Sequence, residues 1–233
     1  MSLVSSPIEH STRLLSKLDL AYPVLQSQAA VLWQPQTARQ AYPLYLTHMH
    51  MVVRSGVGLM DHAIHLLRSR PTRTNSHHML LDYLEGHRNE ERGHDQWLLE
   101  DFAETGGDVS ALLQKIPPVC VANLVGAQYY WMHHHDPLAL LGHITALECY
   151  HPPLGFAAKL SSLTGFPIQA FRAIARHERL DIVHKQELLQ LLDQLPLEKH
   201  DHKLLGLSGL HTMQCATEVM ELLQGQVLEL VPQ

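Results

Sequence analysis

Cysteine is scarce in this sequence, and its three cysteines, Cys120, Cys149 and Cys215, are widely separated. Their spacing argues against a disulfide framework and fits a reducing compartment. The N-terminus lacks the basic-then-apolar order of a secretory signal peptide. No apolar run approaches the roughly 18 residues that a membrane-spanning helix requires. We therefore expect a cytoplasmic protein that does not associate with membranes.

A basic excess is also missing, because 23 acidic residues outnumber 17 lysines and arginines and give a net charge of −6. This balance argues against binding to nucleic acid. Strand-like alternation of valine, isoleucine and threonine is nearly absent, whereas leucine, alanine, glutamine and histidine are common. The composition therefore predicts an all-α fold. The length of 233 residues favours a single helical domain over residues 1–233.

Turn-forming residues divide the chain into helices. The predicted helices span about 8–33, 36–69, 76–104, 108–115, 118–134, 136–151, 154–164, 168–195 and 198–224. We expect interruptions at Pro23, at Pro43 and at Ser55–Gly58, because proline and glycine disfavour the interior of a helix. A further break is expected near His177. A loop is expected from Arg70 to Ser76, and fraying is expected in the chain after the last helix.

One predicted helix carries His177, Asp181 and His184. Residues three and four apart lie on the same helical face, so these three side chains share one face. The same face is apolar at Ile174 and Leu188, which marks it as facing the core. Burying two imidazoles and a carboxylate without partners is costly. A metal ion is a usual partner for such a set.

A second predicted helix repeats this spacing with His87, Glu91 and His94, again between apolar positions. Glu148 is an acidic residue in a third apolar stripe. Pairs of the form Glu-x-x-His on helices can build a carboxylate-bridged di-iron site inside a bundle. Seven residues of helix rise about 10 Å, so His177 and His184 are poorly placed to share one ion.

We therefore predict two metal ions, with Glu91 and Glu148 as the catalytic carboxylates. Ions in such paired sites lie about 3.5–4 Å apart with carboxylates between them. A ligand set of imidazoles and carboxylates without thiolates favours iron or manganese over structural zinc. The predicted metal ligands are His87, Glu91, His94, Glu148, His177, Asp181 and His184.

These segments resemble the heme-oxygenase-like di-iron oxidases. The matching segments are Glu90–Asp95, Asp101, Gly106, Leu147–Glu148 and His177–His184. That superfamily also includes the thiaminase II (TenA) proteins and pyrroloquinoline-quinone synthase, and the likeness covers about residues 40–220 in helix order. The resemblance implies a heme-oxygenase-like helical bundle, often dimeric. It also implies two irons that activate O2 to oxidise a small amine, amino acid or fatty acid.

Carried over to this sequence, the family's ligands fall on His94, Glu148, His177, Asp181 and His184. The sixth family ligand is a glutamate seven residues before the first histidine, where this chain has His87. A neutral imidazole in place of a carboxylate leaves less charge to stabilise oxidised iron, unless Glu91 compensates. The number of irons is therefore either two or one. The family name describes the fold, and no heme is predicted.

Two alternatives remain beside the iron oxidase. In the first, Cys149 is the nucleophile of a metal-independent, TenA-like hydrolase. Adjacent residues of a helix point about 100° apart, however, so Glu148 and Cys149 are not expected to face one pocket together. In the second, the chain is a non-catalytic bundle that binds metal or a partner. The main argument for this alternative is the presence of His87 in place of the family glutamate.

Overall fold

The computed structural model describes residues 9–71 and 74–230, which form helices and contain no strand. The α-helices are α1 (His10–Leu18), α2 (Tyr22–Leu32), α3 (Ala38–Ser69), α4 (Asn75–Glu91), α5 (His94–Glu104), α6 (Val109–Leu113), α7 (Val119–His134), α8 (Ala139–Glu148), α9 (Phe156–Thr164), α10 (Arg172–Gln194) and α11 (Lys199–Leu230), with a 3₁₀ turn at Ile168–Phe171 before α10. The all-α prediction is confirmed. Within the described ranges, no helix combines the length and apolar character needed to cross a bilayer.

Three predicted interruptions are wrong. Helix α3 runs without a break through Pro43 and Ser55–Gly58, because packing along its length outweighs the weak helix preference of these residues. Helix α10 is continuous through His177. Helix α11 extends beyond the predicted end at 224 and reaches Leu230. Residues 72–73 of the predicted loop and 231–233 of the predicted frayed tail lie outside the described residues.

A break at Gly93 corrects the predicted continuous helix 76–104. Helix α4 ends at Glu91 and α5 begins at His94. Gly93 has φ +88°, a left-handed conformation that glycine adopts at little cost. The chain changes direction there, so His94 does not continue the α4 stripe of His87 and Glu91. An isolated glycine in a helical pattern was the available signal for this turn.

Two buried carboxylates cap the starts of α9 and α10. Asp101 of α5 is fully buried and accepts hydrogen bonds from the backbone N–H groups of Arg172 and Ala173 at the start of α10, at 3.1 and 2.8 Å. Glu178 of α10 accepts from the N–H groups of Gly155 and Ala157 at the start of α9, at 2.8 and 2.6 Å. These caps tie α5, α9 and α10 together through groups that the helices leave unpaired.

Helix α8 lies in the middle of the bundle and packs closely on α11. Its residues from Ala139 to Ala146 are buried. The two backbones approach at Gly142 of α8 and Gly209 of α11, where the Gly142 oxygen would lie 3.0 Å from a side chain placed on Gly209. This contact positions Glu148, at the end of α8, in the interior of the protein.

We expect Gly142→Ala to lower the free energy of unfolding by about 1–3 kcal/mol, because the new methyl group overlaps the backbone oxygen of Leu205. The matched control is Gly126→Ala in α7, where an added methyl group meets no atom within 4 Å. That change should instead raise the free energy by roughly 0.5–1 kcal/mol. Urea unfolding of both variants measures the difference. Equal stability of the two variants would contradict the close α8–α11 contact.

Candidate metal centre

Four of the predicted ligands meet where α4, α8 and α10 come together. His87 and Glu91 of α4, Glu148 of α8 and His184 of α10 each offer a ligand atom, and these atoms lie within 4.8 Å of one another. Nε2 of His87 is 2.7 Å from Oε1 of Glu148, and Nδ1 of His184 is 3.9 Å from the same oxygen. The arrangement is compact enough for one cation to contact all four residues.

The other three predicted ligands, His94, His177 and Asp181, adjoin this group. Oε2 of Glu91 is 2.9 Å from Nδ1 of His94, while its Oε1 is 3.8 Å from Nδ1 of His184. Oδ1 of Asp181 is 3.0 Å from Nδ1 of His177 and 3.9 Å from Nδ1 of His184. Glu91 and Asp181 therefore lie between two groups of histidines, His87 with His184 and His94 with His177.

Several polar atoms of this cluster are buried without a hydrogen-bond partner in the described part of the chain. They are Nδ1 of His94, Nδ1 of His184 and Oε2 of Glu148. The 2.9 Å contact between His94 and Glu91 is close, yet it lacks the directional geometry of a hydrogen bond. Unpaired buried polar atoms are rare and need an explanation. A shared cation provides one, so these residues fit a metal.

The charges of the cluster are strongly coupled. Burial lowers the pKa of His87, but its contact with Glu148 and the nearby Glu91 raise it above the ordinary value of histidine. The pKa of His177 is likewise lowered by burial and raised overall by Asp181. Without metal, the carboxylates thus favour the protonated form of these imidazoles. A metal ion requires the unprotonated nitrogen, so metal binding is expected to favour proton release.

The pKa values of Glu148 and Glu91 shift in opposite directions. Burial raises the pKa of Glu148 above its ordinary value, and His87 and His184 offset only part of this increase. Burial acts on Glu91 in the same direction, but His94 and His177 outweigh it and lower the pKa of Glu91. Glu91 is thus the carboxylate that the surrounding imidazoles stabilise most clearly in its charged form.

Side chains outside the ligand set hold the histidine rings in place. Trp97 stacks on His94 with ring centroids 3.9 Å apart, and Tyr83 stacks on His87 at 5.5 Å. Neither aromatic was predicted from the sequence to belong to the site, although each lies one helical turn from its histidine. Oε2 of Glu90 lies 3.4 Å from Nε2 of His184, which leaves Nδ1 of His184 facing the cluster.

A family profile covers most of the chain. Residues 44–213 match the profile of a family described as iron-containing redox enzymes. The chain belongs to this family. No curated protein matches the sequence at a significant level.

Solved structures with the same architecture support the heme-oxygenase-like fold. One is a domain of unknown function with a heme oxygenase-like fold from Shewanella denitrificans, with a TM-score of 0.79, 15% identity, and coverage of 97% of this chain and 96% of that one. Another is a TenA homolog from Pseudomonas syringae pv. tomato, with a TM-score of 0.64, 13% identity, and coverage of 95% and 98%. The predicted heme-oxygenase-like bundle is confirmed.

A cavity of about 700 Å³ adjoins the cluster in this member of the iron-containing redox enzyme family. His87, Glu91, Glu148, His177 and Asp181 form part of its wall. Most of the remaining wall is apolar and comes from α2, α3, α8 and α11. The volume lies within the range of about 300–1,000 Å³ that is typical of sites for small molecules.

Cys149 does not share this cavity with Glu148. Its side chain is 6% exposed and belongs to the apolar core. Burial raises the pKa of the Cys149 thiol to about 12, even though Lys185 acts in the opposite direction. A protonated thiol buried in the core is a poor nucleophile. The site therefore gives no support to the TenA-like hydrolase that uses Cys149.

Proposed function

We propose that this protein is a non-heme iron oxidase or oxygenase, which uses O2 to oxidise a small organic substrate held in the cavity. The observation that carries the proposal is that a ligand cluster with unpaired buried atoms forms part of the wall of a mostly apolar cavity, with Glu148 belonging to both. Membership of the iron-containing redox enzyme family supports the choice of metal. The candidate substrates remain a small amine, amino acid or fatty acid, and the homodimer stays a prediction.

The cluster offers ligands for two irons. His87, Glu148 and His184 would hold one ion, and His94, His177 and Asp181 the other, with Glu91 between them. Iron bound there would supply the activation of O2 and the oxidation of the substrate. His87 occupies the place of a family glutamate, but its Nε2 lies within 2.7 Å of Glu148 and Glu91 supplies a further carboxylate. We propose two ions because the seven candidate ligands divide into these two groups.

The protein's own groups prepare the cavity for this chemistry. The apolar wall excludes water and orients the substrate beside the ligands. Tyr45 lines the cavity, and burial together with the carboxylate of Asp181 raises its pKa to about 12. Its Oη therefore keeps its proton at neutral pH and can donate a hydrogen bond inside the cavity. Glu90 keeps the Nδ1 of His184 turned toward the cluster.

The proposal is tested by loading metal-free protein with ferrous iron under anaerobic conditions and measuring bound iron by mass spectrometry. We expect two irons per chain in wild type, and O2 consumption with at least one substrate from a screen of amines, amino acids, fatty acids, alcohols and amides. Glu148→Ala should lose iron and activity. Cys149→Ala is the matched neighbouring control and should keep both, because the thiol lies outside the cavity.

Other results would contradict the proposal. Equal iron in wild type and Glu148→Ala would show that the metal is adventitious. Full iron loading without O2 consumption in the entire screen would favour a non-catalytic metal-binding bundle. Loss of activity in Cys149→Ala with iron retained would restore the thiol mechanism.

A further inference from the structure

His143 is a polar residue in the apolar part of the cavity wall. It lies on α8 and is 4% exposed. Leu140, Ile144 and Leu147 share its helical face and also line the cavity. His143 precedes Glu148 by five residues, which corresponds to about 7.5 Å along the helix. His143 therefore lines the same cavity as the candidate metal ligands without belonging to them.

A buried hydrogen-bond network determines which nitrogen of His143 carries the hydrogen. Oγ of Ser208 donates to Oε1 of Gln128 at 2.8 Å, so the amide nitrogen of Gln128 faces Oγ1 of Thr212 at 3.3 Å. The hydroxyl of Thr212 donates its single hydrogen to the backbone oxygen of Ser208 at 2.9 Å. In the remaining 3.0 Å contact, Thr212 therefore accepts from Nδ1 of His143.

The other ring nitrogen of His143 is consequently an acceptor. Nε2 has no hydrogen-bond partner among the described residues, and His143 borders the cavity. Burial, with a smaller contribution from His211, lowers the pKa of His143 to about 4. The imidazole is therefore neutral at physiological pH. It presents a lone pair to the cavity and accepts a hydrogen bond from a molecule bound there.

The wall around His143 offers no partner for a charged group. Among the described residues that line the cavity there is no arginine, and the single lysine, Lys159, is exposed. The acidic residues of the wall are the metal-site carboxylates Glu91, Glu148 and Asp181. Because those carboxylates would hold iron, an ammonium group beside His143 would find no free anionic partner, and a carboxylate there would find no buried lysine or arginine. A neutral hydrogen-bond donor suits the position.

We propose that His143 determines substrate specificity: its Nε2 accepts a hydrogen bond from a hydroxyl or amide N–H group on an otherwise apolar substrate. This inference rests on the proposed function, because the bound molecule is the one to be oxidised beside the irons. It narrows the substrate group that lies beside His143 to a neutral hydroxyl or amide N–H on a mostly apolar part of the molecule. His143 is a positioning residue in this proposal and takes no part in binding iron.

Isothermal titration calorimetry on the metal-free protein tests the inference with two isomeric probes, decanol and methyl nonyl ether. Both are apolar chains with one oxygen, but only the alcohol can donate a hydrogen bond. We expect wild type to bind decanol about tenfold more tightly than the ether. His143→Leu should bring this ratio close to one by weakening the alcohol. Iron loading of that variant should match wild type.

Thr212→Val is a second test variant, and its readout is the affinity for the ether. A purely structural role of His143 would not raise that affinity. Without the Thr212 hydroxyl, Nδ1 of His143 loses its acceptor, so the hydrogen is free to move to Nε2. Nε2 then donates, and the affinity for the ether should rise relative to wild type. A higher ether affinity in this variant than in wild type would support the tautomer assigned to His143.

Three results separate this inference from the proposed function. Equal binding of both probes by wild type, or an unchanged alcohol preference in His143→Leu, would overturn the role of His143. If iron loading and O2 consumption are normal in that case, the proposed function stands alone. A tenfold alcohol preference that depends on His143, in a protein that binds no iron, would support the ligand site and overturn the iron oxidase.

Discussion

Replacing Glu91 with alanine is expected to remove both irons and to abolish O2 consumption. Glu91 contacts His94 through one carboxylate oxygen and approaches His184 through the other, so both ions would lose a ligand. Loss of a partner outside the ligand shell typically costs about 10–100-fold in metal affinity, and loss of a shared ligand should exceed about 100-fold. Mass spectrometry after anaerobic loading measures this loss directly.

Variants of the neighbouring residues make this prediction specific. Asp82→Ala removes an exposed carboxylate from the same helix and should keep both irons. Glu90→Ala should weaken iron by about tenfold, because Glu90 only orients His184. His87→Ala and His94→Ala should each retain one iron, since they belong to different histidine groups. If Glu91→Ala keeps one iron, Glu91 does not lie between two ions.

Glu178→Ala is expected to have the largest effect on stability, independent of metal. The side chain is 6% exposed, and its removal leaves the N–H groups of Gly155 and Ala157 without acceptors. Hydrogen bonds to a charged group contribute about 1.5–3 kcal/mol each, so the free energy of unfolding should fall by about 3 kcal/mol. For a protein of this size, that corresponds to a decrease in Tm of roughly 6–12 °C.

The control for this prediction lies on the same helix. Glu187→Ala removes an exposed carboxylate from α10 and should change stability by less than about 0.5 kcal/mol. Glu178→Gln keeps one acceptor oxygen and should fall between the two alanine variants. Thermal unfolding of the metal-free proteins provides the comparison. A Tm of Glu178→Ala equal to that of Glu187→Ala would show that Glu178 does not hold the start of α9.

The two ligand helices show which features of the site could be predicted from residue spacing. The spacing of His177, Asp181 and His184 was sufficient to place them on one face of α10, because this geometry depends only on helical periodicity. The same rule failed for His94, since it assumed a helix that continues through Gly93. The turn at Gly93 brings His94 back to Glu91 three residues earlier. The spacing therefore singled out these residues as candidates, but it did not predict their mutual arrangement.

Contacts between residues far apart in the chain could not be predicted from the sequence patterns. Nothing near Asp101 indicates that it caps α10, 71 residues later. The contact between His143 and Thr212 joins residues 69 positions apart. No pattern in the neighbouring sequence distinguishes either residue from an ordinary polar residue. Trp97 and Tyr83 likewise resemble core aromatics until their histidines are in place. Such contacts depend on how helices pack, which a single helical period does not encode.

By itself, the sequence determined the helical class, the candidate ligand residues and the resemblance to di-iron oxidases, because these depend on composition and on spacing within one helix. The tertiary structure alone decided how the ligands divide into two groups about Glu91, that Cys149 is buried away from the cavity, and that His143 faces it. These features arise where helices from separate segments meet. Their positions follow from the packing of side chains across those contacts, and no local pattern fixes that packing.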